Sequence, residues 1–582
     1  IETFRPANPN ESWNFSGATT LGGDLYLKVG YGGSTHSTWS GAVTVTGGDR
    51  TFTIDTAPNA ALGTFSGAIG QDTPGRQLTL KVGVSNTTSA QAVTTFSGDN
   101  TVDHIVVETS GLTRTSAIRF GNLASLSDTS LKIASGAFAG LGFSNPADFA
   151  TALGRITADS TGVLGVDIGM SNNIDLSAAT GINRDLRIGS SATATYSGTL
   201  TPFGSSYKVG GGGGTITFSN ANAFTGARNL DVATQGNLPG GTVAITNTND
   251  FTGNIGVGAS MTLQISSDAA LGNAANAIAL SGTLAAGGAV ATSRAISATS
   301  GAGLAATSGN TLTINTAPGN LSLAPGGTLN ITGAGAVVIN TSLNDTVAGA
   351  MTVTGPTLRL GGTNSPYTKT ITLSGGTVTL LSPSAQIAGN INGSSGAANK
   401  ILLNGAGGPF TYTFGVGNGN GEASTPATSF PTSGGQGVAA YDGDVTWDPG
   451  NGGSYTLGTA ATLKDRINFG YRVTSPSNDY SRILFGNNIG DLVLNGDLTL
   501  RSRGGAASTN QVVMSFALSD DGSARNLIIA GPHLVLTRPF AGTANSKLIV
   551  GSDTNADGSS VAISNVNQIP TGNLELRSGV LI

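Results

Sequence analysis

The chain contains no cysteine, which excludes disulfides, thiolate metal sites and thiol catalysis together. Charge is nearly as scarce. Only 10% of residues are charged, where an ordinary soluble domain carries about 25%. The 27 basic and 32 acidic residues give a formal net charge of −5 and are spread thinly. With no Lys/Arg cluster, neither nucleic acid nor an anionic membrane surface is expected as a partner. No apolar stretch reaches the roughly 18 residues of a membrane-spanning helix. Ile1 opens the chain, and no basic segment with an apolar core follows it. The expectation is a processed chain whose export signal lies outside these residues. His36, His104 and His533 stand far apart, without the i,i+4 spacing of a metal pair, and read as surface or strand residues. Neither a phosphate-binding G-x-x-x-x-G-K-[ST] nor a G-x-S-x-G nucleophile elbow is present.

Glycine is what the chain has in excess: 89 of 582 residues, about 15% against a usual level of about 7%. It does not follow the every-third-residue rule of collagen. At 38% hydrophobic, the chain still has the material for a core. Glycine also closes a recurring triplet, an aromatic, then Ser or Thr, then Gly. It stands at Phe15-Ser16-Gly17, Trp39-Ser40-Gly41, Phe65-Ser66-Gly67 and Phe96-Ser97-Gly98. It returns at Tyr196-Ser197-Gly198, Phe224-Thr225-Gly226 and Phe251-Thr252-Gly253. Start positions differ by 24, 26 and 31 residues in the first run, then by 28 and 27. A period that short is the signature of stacked repeats.

Between the glycines lie runs with an apolar residue at every second place. They include Thr51–Ile54, Leu78–Val82, Met261–Ile265, Thr311–Ile314, Thr377–Leu380, Asp497–Leu500 and Leu574–Leu576. Period two with β-branched residues on the other face is the strand pattern, and Gly, Asn, Asp or Pro closes each run. Short strands at this spacing predict an all-β chain: an elongated parallel β-helix, or β-solenoid, with about three strands per coil. A propeller blade needs about 40 residues or more. Glycine at the corners supplies positive φ or close approach of stacked backbones. Outward Thr and Asn are expected to form ladders from coil to coil, about 4.8 Å apart.

The rhythm breaks in two places. At Ser144-Asn145-Pro146-Ala147-Asp148-Phe149 a capping residue precedes Pro, and Phe149 and Leu153 are four apart, which predicts one short helix near 145–155. Residues 405–455 are rich in Gly, Asn, Pro and Ser and read as a loop excursion. The five glycines 210–214 mark a tight turn or a flexible tip. The expected organisation is solenoid repeats over 1–404 with a helical excursion at about 136–160, the 405–455 excursion, and continuing solenoid over 456–582.

The segment from Phe251-Thr252-Gly253-Asn254-Ile255 through Leu263-Gln264-Ile265-Ser266-Ser267-Asp268-Ala269-Ala270-Leu271-Gly272 to Leu280-Ser281-Gly282-Thr283-Leu284 resembles the autotransporter-associated β-strand repeat. Partial copies lie around Phe15, Phe65, Phe224 and Leu373. The resemblance implies a secreted or surface β-helical passenger, often described as an adhesin, from a bacterial envelope. It brings no catalytic residues. The chain departs from the family in showing no recognisable C-terminal membrane barrel, so the expectation stops short of a self-encoded pore. The absence of cysteine fits an export route that passes an unfolded polypeptide.

Three groups of residues are candidates for more than scaffolding. Asp553, Asn555 and Asp557 alternate ahead of Gly558, as in the first half of a calcium loop. Ser564 stands where that loop has its bidentate Glu, and an Asp-Gly turn between strands explains the same letters. Tyr441, Asp442, Asp444 and Trp447 place two carboxylates beside two aromatics, a combination suited to glycan contact. With Asp448 it is also the one plausible carboxylate group for sugar chemistry, and a turn followed by a packed Trp is the plain alternative. Leu574, Leu576, Val580, Leu581 and Ile582 form an apolar run in strand rhythm without a polar cap. They are the expected end for end-to-end stacking of copies into filaments. The expected function is a non-catalytic extracellular or cell-surface solenoid, a fibre, matrix element or adhesive stalk, with no cofactor unless calcium binds. The alternative is a β-helical carbohydrate-binding adhesin or polysaccharide-active enzyme.

Overall fold

The computed structural model describes residues 14–387, apart from 30–37, 57–62, 86–92, 318–319, 325, 345–348, 365–366 and 386. Outside that range it describes mainly the backbone of individual strands, with side chains at 522–524, 526, 545–550 and 574–577. The fold is an all-β parallel β-solenoid of about 15 turns. It divides into two compact units, residues 1–290 with 294–297, and residues 291–293 with 298–582.

In the first unit one long parallel sheet runs from Asn14–Phe15 through Thr38–Trp39, Thr64–Phe65, Val93–Phe96, Ala117–Phe120, Phe138–Leu141 and Val163–Val166. It continues through Arg187–Gly189, Ser206–Val209, Asn229–Val232 and Ile255–Val257 to Ile278–Leu280. As far as Ala117–Phe120 each strand pairs with the third strand on in sequence, so a coil there has three strands; beyond it, partners are one to three strands apart. A second parallel sheet joins Leu25–Val29, Arg50–Thr56, Gln77–Val84, His104–Glu108 and Ser130–Ile133. A third joins Thr193–Tyr196, Thr215–Phe218, Gly241–Ile245, Met261–Ile265 and Thr283–Ala286.

The repeated triplet is the joint between coils. Its aromatic points inward, where Phe15, Trp39, Phe65 and Phe96 stack with ring centroids 5.1, 5.5 and 4.9 Å apart. Stacked and edge-on ring pairs add to the area they bury. The aromatic carbonyl accepts two hydrogen bonds from the next coil. Phe15 O receives Ser40 N and Gly41 N, and Trp39 O receives Ser66 N and Gly67 N, at 2.8–3.1 Å. The glycine then lies almost on the previous corner, so that a Cβ on Gly41 would stand 2.0 Å from Gly17 O.

Asn145 caps the helix Pro146–Arg155, its Oδ1 accepting from Ala147 N and Asp148 N at 3.0 and 3.3 Å. Phe149, Ala152 and Leu153 are buried beneath it. The glycines 210–213 form a tight turn with φ between +82° and +106°, a region closed to residues with a Cβ.

In the second unit one parallel sheet carries Thr311–Ile314, Ala336–Ile339, Thr357–Leu360, Thr377–Leu380, Lys400–Asn404 and Gly437–Tyr441. It goes on through Ile467–Phe469, Leu498–Ser502, Asn526–Ala530, Lys547–Val550 and Asn573–Leu576. The stretch read as a loop, 405–455, contains the strands Gly437–Tyr441 and Val445–Trp447, which pair in parallel with Lys400–Asn404 and Ile483–Phe485. The glycine-rich sequence around these strands masked their pattern.

Candidate functional site

A carboxylate or guanidinium removed from water needs partners or a task, and the described residues hold several. Asp167 accepts from Arg119 Nε at 2.9 Å, Ser191 N at 2.7 Å, Ser191 Oγ at 2.5 Å and Ser190 Oγ at 3.2 Å. Gly140 makes room for it, since a Cβ there would stand 2.2 Å from Asp167 Oδ2. Asp55 accepts from Tyr26 Oη at 2.7 Å and Ser85 N at 3.1 Å, with Lys28 Nζ 3.5 Å away. Burial and this carboxylate push the Tyr26 hydroxyl up to about 12. Arg294 is engaged by the Asp268 carboxylate and by the carbonyls of Asp268 and Gly272. Each cluster ties one coil to another. No group of three or more His, Asp or Glu that could hold a metal ion occurs among the described residues.

The surface offers a different feature. In the third sheet of the first unit two outward rows run in register from coil to coil. One is Thr193, Thr215, Thr242, Thr262 and Thr283; the other is Thr195, Thr217, Ala244, Gln264 and Ala285, in which the two alanines are covered by their neighbours. Neighbouring rungs of a parallel sheet are about 4.8 Å apart, so the first row is a straight line of five hydroxyls. Neither row carries a charge. The inward neighbours Tyr196, Phe218, Ile245 and Ile265 are fully buried and hold the sheet in place. The second unit repeats the theme with Asn330, Thr352 and Thr372 in one register row. The second sheet of the first unit differs in bearing ion pairs, Lys81 with Glu108 at 3.2 Å and Lys132 with Asp159 at 2.5 Å.

Of the residues singled out in the sequence, Tyr441 and Trp447 fall on the strands Gly437–Tyr441 and Val445–Trp447. Asp442, Asp444 and Asp448 lie outside the described residues, as do Asp553, Asn555, Asp557 and Ile582. Leu574 and Leu576 lie on Asn573–Leu576, where Leu576 is 57% exposed, and Val580 and Leu581 form the last strand. His104 is a strand residue whose Nδ1 lies 2.8 Å from Ser130 Oγ.

Comparison of the chain with protein-family models, with curated proteins and with solved structures finds no match in any of the three. The likeness to the autotransporter-associated repeat therefore rests on the residues that carry it. Over those residues the structure places the strands Ile255–Val257 and Met261–Ile265, a 3₁₀ turn Asp268–Leu271 at the Ala-Leu-Gly step, and the strands Ile278–Leu280 and Thr283–Ala286. Hydroxyl ladders were expected from the sequence; which residues share a row was not, because that depends on coil lengths set by turns.

Proposed function

We propose that the protein is a non-catalytic structural β-solenoid of the extracellular or bacterial cell-surface space, serving as a stalk or matrix element. The observation that supports this most is the use of the repeated triplet. Its aromatic stacks, its Ser and Gly amides bond the preceding coil, and its glycine allows the close approach. The triplets at Trp39, Phe65 and Phe96 thus spend all three residues on holding coil to coil, which suits a part selected for persistence. The resemblance of residues 251–284 to surface passenger repeats favours the same location.

An adhesive role is the second reading, favoured by the uncharged hydroxyl rows. A line of neutral donors and acceptors suits neutral polyhydroxylated surfaces such as glycans, and Tyr441 and Trp447 would add aromatic contact. End-to-end association of copies belongs to the same picture, because a parallel coil offers unpaired strand groups wherever no cap covers it.

The test is a binding and turnover assay on neutral and acidic polysaccharides, run with the intact chain. The reading expects retention on neutral glycans at most, weakened by Thr217→Asp and Thr262→Asp, and no release of oligosaccharide. Reproducible release that is lost in Asp444→Asn would replace it with the enzyme reading. Sedimentation across a concentration series tests self-association, and repeating it with a calcium chelator tests a cation at Asp553, Asn555 and Asp557.

A further inference from the structure

The outer side of the long sheet in the first unit carries a second, smaller apolar layer. Register aligns Phe138, Val163 and Arg187 in one row, and Gly140, Gly165 and Gly189 in the next row on the same side. Phe138 and Val163 are buried with Val93, Ala117 and Leu238 in one cluster. Glycine makes this layer possible. A Cβ on Gly165 would stand 2.2 Å from Phe138 Cζ, and a Cβ on Gly212 would stand 2.4 Å from Phe138 Cε2. The ring is held between the bare sheet and the glycine turn 210–213.

Residues 233–240 lie across this layer and close it. Leu238 completes the cluster, and Pro239 O and Gly240 O accept from Gly212 N and Gly213 N at 3.1 and 3.0 Å. Gln235 extends the bridge. Its Oε1 accepts from Gly136 N at 3.3 Å, and its Nε2 donates to Thr161 O at 3.0 Å. Those partners are 99 and 74 residues away in sequence. The strands Phe138–Leu141, Val163–Val166, Arg187–Gly189, Ser206–Val209 and Asn229–Val232 follow one another in the sheet, so Gln235 reaches back four coils to Gly136 and three to Thr161. Arg187 adds a shorter span, donating to Val209 O and Asp231 O at 2.9 Å and to Asp231 Oδ2 at 2.6 Å.

A coil in a solenoid ordinarily touches only its neighbours, so coils can open one after another from a frayed edge. We propose that residues 233–240 are a latch that binds the five coils between Gly136 and Gly240 into one cooperative block. Opening that spreads into this part of the solenoid stops at the latched block, which yields as a whole or not at all. This device stands on the fold and is independent of the proposed function.

Native-state hydrogen exchange on the full chain, followed by mass spectrometry in mild denaturant, tests it. The five strands are expected to share one opening free energy in the wild type. Gln235→Ala with Leu238→Ser should split them into a graded series and speed exchange at Asn229–Val232 about tenfold or more, leaving Arg50–Thr56 unchanged. Gln235→Ala alone removes two hydrogen bonds without touching the core, and should show the same grading if the double variant fails to fold. Asn237→Ala, at an exposed position of the latch, should behave as wild type. Independent opening of the five strands in the wild type would overturn the proposal, as would an unchanged common opening in Gln235→Ala.

Discussion

Gly67 lies so close to the corner of the preceding coil that a Cβ on it would stand 2.0 Å from the carbonyl oxygen of Gly41. The same relation joins Gly41 to Gly17, and Gly98 to Gly67 at 2.1 Å. Backbone conformation is not what demands glycine here, since none of the three has a positive φ. The demand is steric at Gly41, Gly67 and Gly98, whereas Gly226, which closes a later triplet, has φ +75° and no close neighbour around it.

Gly67→Ala should therefore destabilise the early coils by about 2 kcal/mol or more, because either the coil spacing or the corner must shift. Gly256→Ala, where nothing lies within 4 Å of the added carbon, should be neutral or slightly stabilising. Urea denaturation of the two variants measures the contrast.

Phe65 stacks on Trp39 and Phe96 and meets Phe52 edge-on at 5.3 Å. Phe65→Ala should cost about 3–5 kcal/mol through the cavity it leaves, and Phe65→Leu about 1.5 kcal/mol. Loss of the local transition in Trp39 fluorescence during denaturation reports both.

Arg294 is 1% exposed in its side chain and bonded to the partly exposed Asp268 at 2.8 Å. Removing the carboxylate leaves a buried cation without its counter-charge. Asp268→Ala should cost about 2–3 kcal/mol, at the low end for such pairs because Asp268 keeps some contact with water. Arg294→Met, which removes the charge with the partner still hydrated, should cost less. A double-mutant cycle in urea separates the two.

The Tyr26 hydroxyl is pushed up to about 12 by burial and by the Asp55 carboxylate that accepts its proton. In the unfolded chain it titrates near 10. The folded state thus favours the neutral phenol, and this contribution to stability is complete below pH about 10. It fades as pH rises through about 12. Tyr26→Phe should lose stability at neutral pH and lose less on going alkaline, so the two stability curves converge. In Asp55→Asn the phenol should titrate at lower pH, as ultraviolet difference absorbance would show.

Local features and the parallel stacking of coils were legible in the sequence; which side chains meet across coils was not. The strands at Thr311–Ile314 and Thr377–Leu380 show their period two without help from neighbours, and Asn145-Pro146 announces the helix start within two residues. The buried corner asparagines were missed. Asn249 donates to Ala270 O at 2.8 Å and accepts from Phe224 N at 2.9 Å, while Asn276 donates to Phe251 O and Leu271 O. An Asn in a turn looks the same whether it faces water or the next coil. Gln235 was invisible for the same reason, since its partners come from other coils. The variation in strands per coil beyond Ala117–Phe120 was also hidden, because the repeat length barely moves when a strand becomes a turn.

Coils stack in parallel and in register, and the absence of native cysteine gives a clean way to test that stacking. Thr217 and Ala244 are register partners on adjacent coils, about 4.8 Å apart along the stack and within reach of a disulfide. Mild oxidation of a Thr217→Cys/Ala244→Cys variant should form an intramolecular cross-link in high yield, whereas Thr215→Cys/Ala244→Cys, two residues out of register on the same face, should stay largely reduced. Preferential cross-linking of the out-of-register pair, or of neither, would contradict the solenoid on which the functional reading rests.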